Sequence, residues 1–385
     1  MIGKAGVPYW RLSGFYFLFF STVGVLLPFW TLYLKSSGFD AKQIGILSAI
    51  LVLPKVFVTY FWGWVVDHSG QRIRIIKLAS FLSVLTFSAV LFIHGFWGLA
   101  ITLFIFSLFW SGPLPQVEAA TLGHLGESVH TYTVVRVWGS VGFILTVWLL
   151  GLVFEFLSIS YVPHIIIIFI LLMWFLTLSL PEQEMTEHPH IYKNFIQIFR
   201  TPGVIAFLIV CFLMLVSHGP YYTFFSIYLE ERGYNSTLIG QLWALGVIAE
   251  VVLFLGMHLL HKYFSLKQLM LTSLFLAFIR WLLIGYYVEN ILLLLIAQLL
   301  HAATFGIYHA VAIQYVHKIF RGRLQGRGQA LYSSVSFGAG MAAGSFISGY
   351  IWQTWGAVAC FNFGTLTALL AFFIAMGWMN NKIEE

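Results

Sequence analysis

Residues 33–55 read YLKSSGFDAKQIGILSAILVLPK, and residues 228–250, 195 positions later, read YLEERGYNSTLIGQLWALGVIAE. Eight positions are identical, among them Gly38 and Gly233, the pairs Ile44-Gly45 and Ile239-Gly240, Leu47 and Leu242, and Val52 and Val247. Self-similarity at half the chain length implies two related halves. The copies differ at their ends, where Lys55 and Glu250 fall at equivalent places inside apolar segments. Charges there are costly, which makes these two residues the first candidates for function.

The remainder of the chain is as apolar as the repeat. Sixty per cent of its residues are hydrophobic and nine per cent charged, where a soluble domain has about a quarter charged. Segments long enough to cross about 30 Å of hydrocarbon fall near 12–34, 43–64, 75–95, 97–119, 133–155 and 161–179, then near 203–228, 238–259, 268–288, 290–317, 329–352 and 355–378. The expected fold is therefore an all-α membrane protein of twelve transmembrane helices in two pseudo-symmetric six-helix bundles. The bundles take residues 1–180 and 203–385. A polar linker, 181–202, joins them and carries Glu182, Glu184, Glu187, His188, His190 and Lys193. With both termini in the cytoplasm, fourteen Lys and Arg residues lie inside and only Lys35, Lys42 and Arg232 outside, in keeping with the positive-inside rule. The two cysteines, Cys211 and Cys360, sit in apolar runs and offer no disulfide framework. The first apolar segment lacks a cleavage site and belongs to the repeat, so it is expected to be retained. The basic residues are scattered rather than clustered, which argues against nucleic acid as a partner.

Between the second and third segments the chain reads Gly63-Trp64-Val65-Val66-Asp67-His68-Ser69-Gly70-Gln71-Arg72. A glycine allows helix ends to approach, and an aspartate there can pair with arginines and helix dipoles. In a six-plus-six protein this pattern resembles the loop signature of the major facilitator superfamily of transporters. The resemblance makes Gly63, Asp67, Gly70 and Arg72 a cytoplasmic gating loop. His68 replaces the family's usual arginine, and the second-half counterpart near His261 has lost the pattern. Three more stretches look like the phenylpropionate permease group, a relative of the lactose permease and of nucleoside/proton symporters: Leu27-Pro28-Phe29-Trp30, His218 with Tyr221 and Tyr222, and Leu300-His301 through Thr304, Phe305 and His309.

Pro115 to Glu118, and Arg136 with Trp138, Gly139, Gly142 and Phe143, resemble the lactose permease segments that hold its sugar. The resemblance implies that Glu118 and Arg136 touch substrate, with Trp138 or Phe143 as a stacking platform. A gating or capping ion pair is the alternative for Glu118 and Arg136. Trp30, His218, Tyr221 and Tyr222 are further contact candidates. His301 and Arg280 match that family's membrane histidine and arginine, whereas Thr304 stands where its proton-carrying carboxylate would be.

Counting at 1.5 Å per residue places Lys55, Glu250, Arg280 and His301 all about 16 to 18 Å deep. Four ionisable groups at one depth suggest a shared polar cavity at the midplane. Glu250 is the proton carrier this arrangement favours, with Lys55 or Arg280 as its partner and His301 as the next carrier. A fixed interhelical ion pair is the structural alternative. Pro54, Pro113, Pro115 and Pro220 are expected to interrupt the second, fourth and seventh helices. The spacings Gly340 to Gly344 and Ser345 to Gly349 suit close helix packing.

Short loops without H-E-x-x-H, G-x-S-x-G, P-loop or dinucleotide fingerprints argue against an enzyme. The leading expectation is proton-coupled import of a small organic solute such as 3-phenylpropionate or a related aromatic carboxylate. Symport of a sugar or nucleoside, and drug/proton antiport, are the alternatives. The expected setting is the bacterial inner (cytoplasmic) membrane, with small-molecule substrate, protons and the lipid bilayer as partners, a monomeric chain, and neither cofactor nor metal.

Overall fold

The computed structural model of the protein describes residues 7–126, 131–182 and 198–379. Among these residues there is no β-strand. Eleven helical runs are long and apolar enough to cross a membrane: α1 (Tyr9–Ser36), α2 (Ala41–Ser69), α3 (Arg72–Leu91), α4 (Phe96–Leu125), α5 (Tyr132–Val153), α6 (Ile159–Leu178), α7 (Pro202–Glu231), α8 (Ser236–Tyr263), α9 (Leu266–Tyr287), α10 (Ile291–Ile319) and α11 (Gln325–Trp378). The sequence divides the chain into twelve segments. The difference lies in α11, whose 54 residues take in the last two. Within it Gly356 has left-handed φ of 79° and non-helical ψ of −174°, a conformation glycine adopts without a Cβ penalty.

The repeat owes its sequence to three structural tasks. Gly38 and Gly233 end their helices in the left-handed region, at φ 88° and 80°. In both copies the next amide reaches back five residues, Phe39 N to Leu34 O at 3.2 Å and Tyr234 N to Leu229 O at 3.0 Å, which satisfies a carbonyl the helix end would strand. Asp40 and Asn235 then cap the following helices, taking Gln43 N at 2.8 Å and Leu238 N at 3.0 Å. The third task is close crossing. A Cβ on Gly45 would stand 2.6 Å from Gly349 Cα. One on Gly240 would run into the Val147 carbonyl and stand 3.2 Å from Gly151 Cα.

These crossings explain how the chain divides into two compact units. The first contains the first-half helices and Asn235–Ala244; the second contains the second-half helices and Asp40–Val56. In the second unit, α7 and α11 also meet through glycine, Gly219 against Gly344. In the first, α1 and α5 meet through Gly24, Gly139 and Gly142.

Proline acts at some of the expected places and not at others. Pro54 separates helix over Ala41–Val52 from helix over Lys55–Ser69. The α4 run breaks at Ser111 and Gly112 and resumes at Pro113. Pro220, expected to interrupt α7, sits inside a continuous helix. The carbonyl four residues earlier, Val216 O, is packed toward Gly344, 2.6 Å from where a Cβ would be. Two π-helical stretches, Ala302–Ile307 in α10 and Ser334–Gly340 in α11, carry no sequence signal.

At the turn between α2 and α3, Gly70 has φ 66°, and Asp67 is exposed. Gly63 was expected to permit a close approach, but nothing lies within 4 Å of a Cβ built there. Glu182 Oε1 accepts from Ile73 N at 3.2 Å, tying the end of the first half to the start of α3. Residues 183–197 of the expected linker lie outside the described residues. Large apolar side chains such as Phe57, Leu85, Leu255 and Phe373 are exposed, as hydrocarbon-facing positions would be.

Candidate functional site

In the first unit, α4 and α5 bring Glu118 and Arg136 together. Arg136 Nε stands 3.9 Å from Glu118 Oε1, and the two side chains remain 30% and 32% exposed. The guanidinium lies 4.1 Å from the centre of the Phe20 ring and 5.5 Å from that of Tyr16. Gly139 makes room for this arrangement, since a Cβ there would stand 2.7 Å from both Arg136 Nη1 and the Phe20 ring. Thr121 donates its single hydroxyl hydrogen to Val117 O at 2.7 Å, so the Tyr16 hydroxyl donates to Thr121 Oγ1 at 3.2 Å.

The aromatic neighbours of Arg136 thus include Tyr16, Phe20 and Tyr132, whose hydroxyl bonds Arg136 and Glu118. The Trp138 indole donates instead to the Tyr9 hydroxyl at 2.9 Å and meets Trp10 edge-on. Phe143 is buried, and its carbonyl packs against Gly24. Trp30 is buried between Tyr33 and Phe87, with an indole nitrogen that has no hydrogen-bond partner.

In the second unit, Arg280 of α9 is wholly buried. Its Nε donates to Ala297 O at 2.9 Å, and its Nη1 to His301 Nδ1 at 3.0 Å and Thr304 Oγ1 at 3.1 Å. The guanidinium also lies 4.2 Å from the centre of the Tyr221 ring and 4.7 Å from that of Trp281. A guanidinium only donates, so Nδ1 of His301 is the bare nitrogen and Nε2 carries the proton. That Nε2 points to Glu250 Oε2 at 3.6 Å. Arg280 thus fixes the His301 tautomer that presents N–H to Glu250.

One glycine makes room for this contact: a Cβ on Gly306 of α10 would stand 3.2 Å from Glu250 Cγ, whereas one on Gly246, a turn before Glu250 on α8, would meet His301 at an ordinary 3.4 Å. His301 and Gly306 are five residues apart, which in a regular α-helix separates them by about 140°. The π-turn over Ala302–Ile307 widens the helix and brings both toward α8.

His218, Tyr221 and Tyr222 of α7 complete the cluster. His218 Nδ1 donates to Met214 O at 2.8 Å, leaving Nε2 as a buried acceptor with no partner. Its ring meets Trp281 edge-on at 4.9 Å. The Tyr221 hydroxyl donates to Gln298 Oε1 at 2.9 Å. Phe305 stacks between His301 and His309, and His309 bonds Tyr332 at 3.1 Å. Lys55 belongs to the same unit; its carbonyl accepts from Ser334 at 3.5 Å.

Three of the four mid-depth groups expected from sequence, Glu250, Arg280 and His301, thus form one connected chain. Sequence reading missed Gln298 and Gly306 here, and Tyr16, Phe20 and Tyr132 beside Arg136. Chemically, Glu250 can hold or release a proton beside the N–H of a neutral His301 and the fixed positive charge of Arg280.

The model of the MFS_1 like family matches residues 9–363. Over 95% of this chain and 96% of the relative, the sequence is 28% identical to the protein named "Probable 3-phenylpropionic acid transporter" of Escherichia coli (strain K12). It is 22% identical to the maltose permease of Geobacillus stearothermophilus over 94% of this chain and 92% of that protein. The crystal structure of the nucleoside transporter NupG superimposes with a TM-score of 0.82 at 17% identity, covering 96% of this chain and 97% of that one. At that identity the likeness is one of fold. The relatives and the fold are those of multi-pass membrane transporters, not enzymes.

Proposed function

The chain belongs to the MFS_1 like family of transporters, and on that premise we propose that it imports a small organic carboxylate, of which 3-phenylpropionate is the type, coupled to protons by alternating access. The observation that carries this reading is the buried chain from Arg280 through His301 to Glu250. It pairs a permanent cation with one group able to exchange a proton, which is what co-transport of an anion and a proton requires. The name of the Escherichia coli relative supports the same substrate class.

The topology that goes with it has twelve spans in two bundles, residues 1–180 and 203–385, with both termini cytoplasmic in the bacterial inner membrane. Support comes from α11, which would be about 80 Å long as one straight helix, far beyond the hydrocarbon thickness. It is broken at Gly356. Asp67, Gly70 and Arg72, with Gly63 as the first residue of the motif, form the cytoplasmic gating loop, and the chain works as a monomer.

One observation favours a second reading. Glu118 and Arg136 stay partly exposed beside the Tyr16 and Phe20 rings, an arrangement that suits the hydroxyls and ring face of a sugar or nucleoside. Competition distinguishes the readings. Proteoliposomes energised with an inward proton gradient should take up labelled 3-phenylpropionate, and unlabelled maltose or uridine should leave that uptake unchanged. Saturable uptake of maltose or uridine, with none of the carboxylate, contradicts the leading reading.

A further inference from the structure

We propose that Arg280 and Gln298 form the subsite for the substrate's carboxylate, and that its occupancy alternates with the negative charge of Glu250, so that each carboxylate crosses with one proton and no net charge. This rests on the reading of the chain as a proton-coupled carboxylate importer.

Arg280 carries a permanent positive charge. Its side chain is wholly buried, yet each group it bonds is neutral: the Ala297 carbonyl, the bare nitrogen of His301 and the Thr304 hydroxyl. The Tyr221 and Trp281 rings add aromatic faces and no negative charge. Among the described residues no carboxylate lies within ion-pair distance of it, and its Nη2 donates to nothing. An arginine does not lose its proton in a protein, so burial without a counter-ion leaves a charge seeking an anion.

A second orphan donor adjoins it. Gln298, also wholly buried, uses its oxygen to accept from Tyr221, and its Nε2 has no partner. Both side chains border the same ring, because Arg280 lies over Tyr221 and bonds Ala297, the residue beside Gln298. Two unpaired N–H groups from one guanidinium and one amide match the two oxygens of a carboxylate. Tyr222 and Phe305, both half-buried, meet edge to face at 6.5 Å next to this pair and supply an aromatic surface.

Charge balance links the subsite to Glu250. The titratable groups around the cluster are His218, Tyr221 and Tyr222 on α7, His301 and His309 on α10, and Lys55 on α2 in the same unit. With Glu250 ionised, its charge offsets Arg280 through the neutral His301. When Glu250 takes a proton from the outer solution, the cluster gains one positive charge, and the incoming carboxylate cancels that gain. On the inner side the carboxylate leaves and Glu250 releases its proton. The loaded and empty carriers then differ by no charge in this cluster.

The test uses the full chain in proteoliposomes with labelled 3-phenylpropionate. A pH gradient at zero membrane potential should drive accumulation. A potential of either sign at equal pH should leave the initial rate unchanged. Unlabelled 3-phenylpropionate should compete in the wild type, while 3-phenylpropionamide should not. In Arg280→Gln the carboxylate's apparent affinity should fall by about tenfold or more, the effect of losing hydrogen bonds to a charged group. Arg280→Lys, which keeps the charge, should recover part of it. Uptake driven by potential alone, or an Arg280→Gln protein that transports with unchanged affinity, overturns the inference while leaving carboxylate import intact. Wild-type vesicles that take up no carboxylate under any gradient overturn the import reading itself.

Discussion

Residues 41–55 and 236–250 begin alike and end differently. Both are entered through a left-handed glycine and a side-chain cap, and both cross a neighbouring helix at the second glycine, Gly45 on Gly349 and Gly240 on Gly151. Past that crossing the first copy has Leu51, Pro54 and Lys55 where the second has Gly246, Ala249 and Glu250. Pro54 lacks the amide a helix needs, and α2 breaks there. With Ala249 in its place α8 runs unbroken over Ser236–Tyr263. Glu250 then stands on that continuous helix with His301 Nε2 3.6 Å from its Oε2. The shared residues build the scaffold, and the divergent ones put a carboxylate on an unbroken helix beside His301 in only one of the two copies.

The most disruptive way to break this comparison is to write the first copy into the second. Ala249→Pro should remove a backbone hydrogen bond just before Glu250 and destabilise α8 by about 3 kcal/mol. Thermal unfolding in detergent should show a lowered midpoint, and gradient-driven uptake should be lost. Next come the crossings. Gly45→Ala and Gly240→Ala each force a Cβ against backbone and should each cost about 1–3 kcal/mol. Similar losses in the two variants would support the equivalence of the crossings, and a loss confined to one would break it.

A smaller change tests the site alone. Gly306→Ala places a methyl 3.2 Å from Glu250 Cγ and should cost about 1 kcal/mol or less. Accumulation should fall several-fold, with unfolding little changed. The smallest effect is expected of Pro54→Ala, which restores a helical donor far from Glu250 in sequence. It should leave coupling intact and raise the unfolding midpoint by a degree or two, equivalent to less than about 1 kcal/mol.

Much of this architecture was legible in the sequence because its determinants are local. The repeat, the apolar spans and the Pro54 break follow from composition and backbone chemistry. Counting along helices suggests one depth for Glu250, Arg280 and His301, and in the structure the three side chains meet through His301. The rest depends on which faces meet. No residue pattern marks the π-turn over Ala302–Ile307, which shifts the register of α10, so the role of Gly306 beside Glu250 stayed hidden. Arg136 could be singled out as an intramembrane cation. Its neighbours Tyr16 and Phe20 come from a helix more than a hundred residues earlier, and Trp138, only two residues away on α5, turns to Tyr9 instead. Pro220 misled because proline strands a carbonyl but does not oblige a helix to stop; in α7 the break was absorbed where Gly219 and Gly344 pack.

If Glu250 carries the coupled proton, Glu250→Gln should separate exchange from accumulation when both are measured in the same vesicles. With labelled 3-phenylpropionate on one side and unlabelled on the other, the variant should exchange at a rate comparable to wild type, because its side chain is neutral as in the loaded carrier. Under an inward proton gradient it should fail to accumulate substrate above the external concentration. Gradient-driven accumulation by Glu250→Gln equal to that of the wild type would contradict the claim.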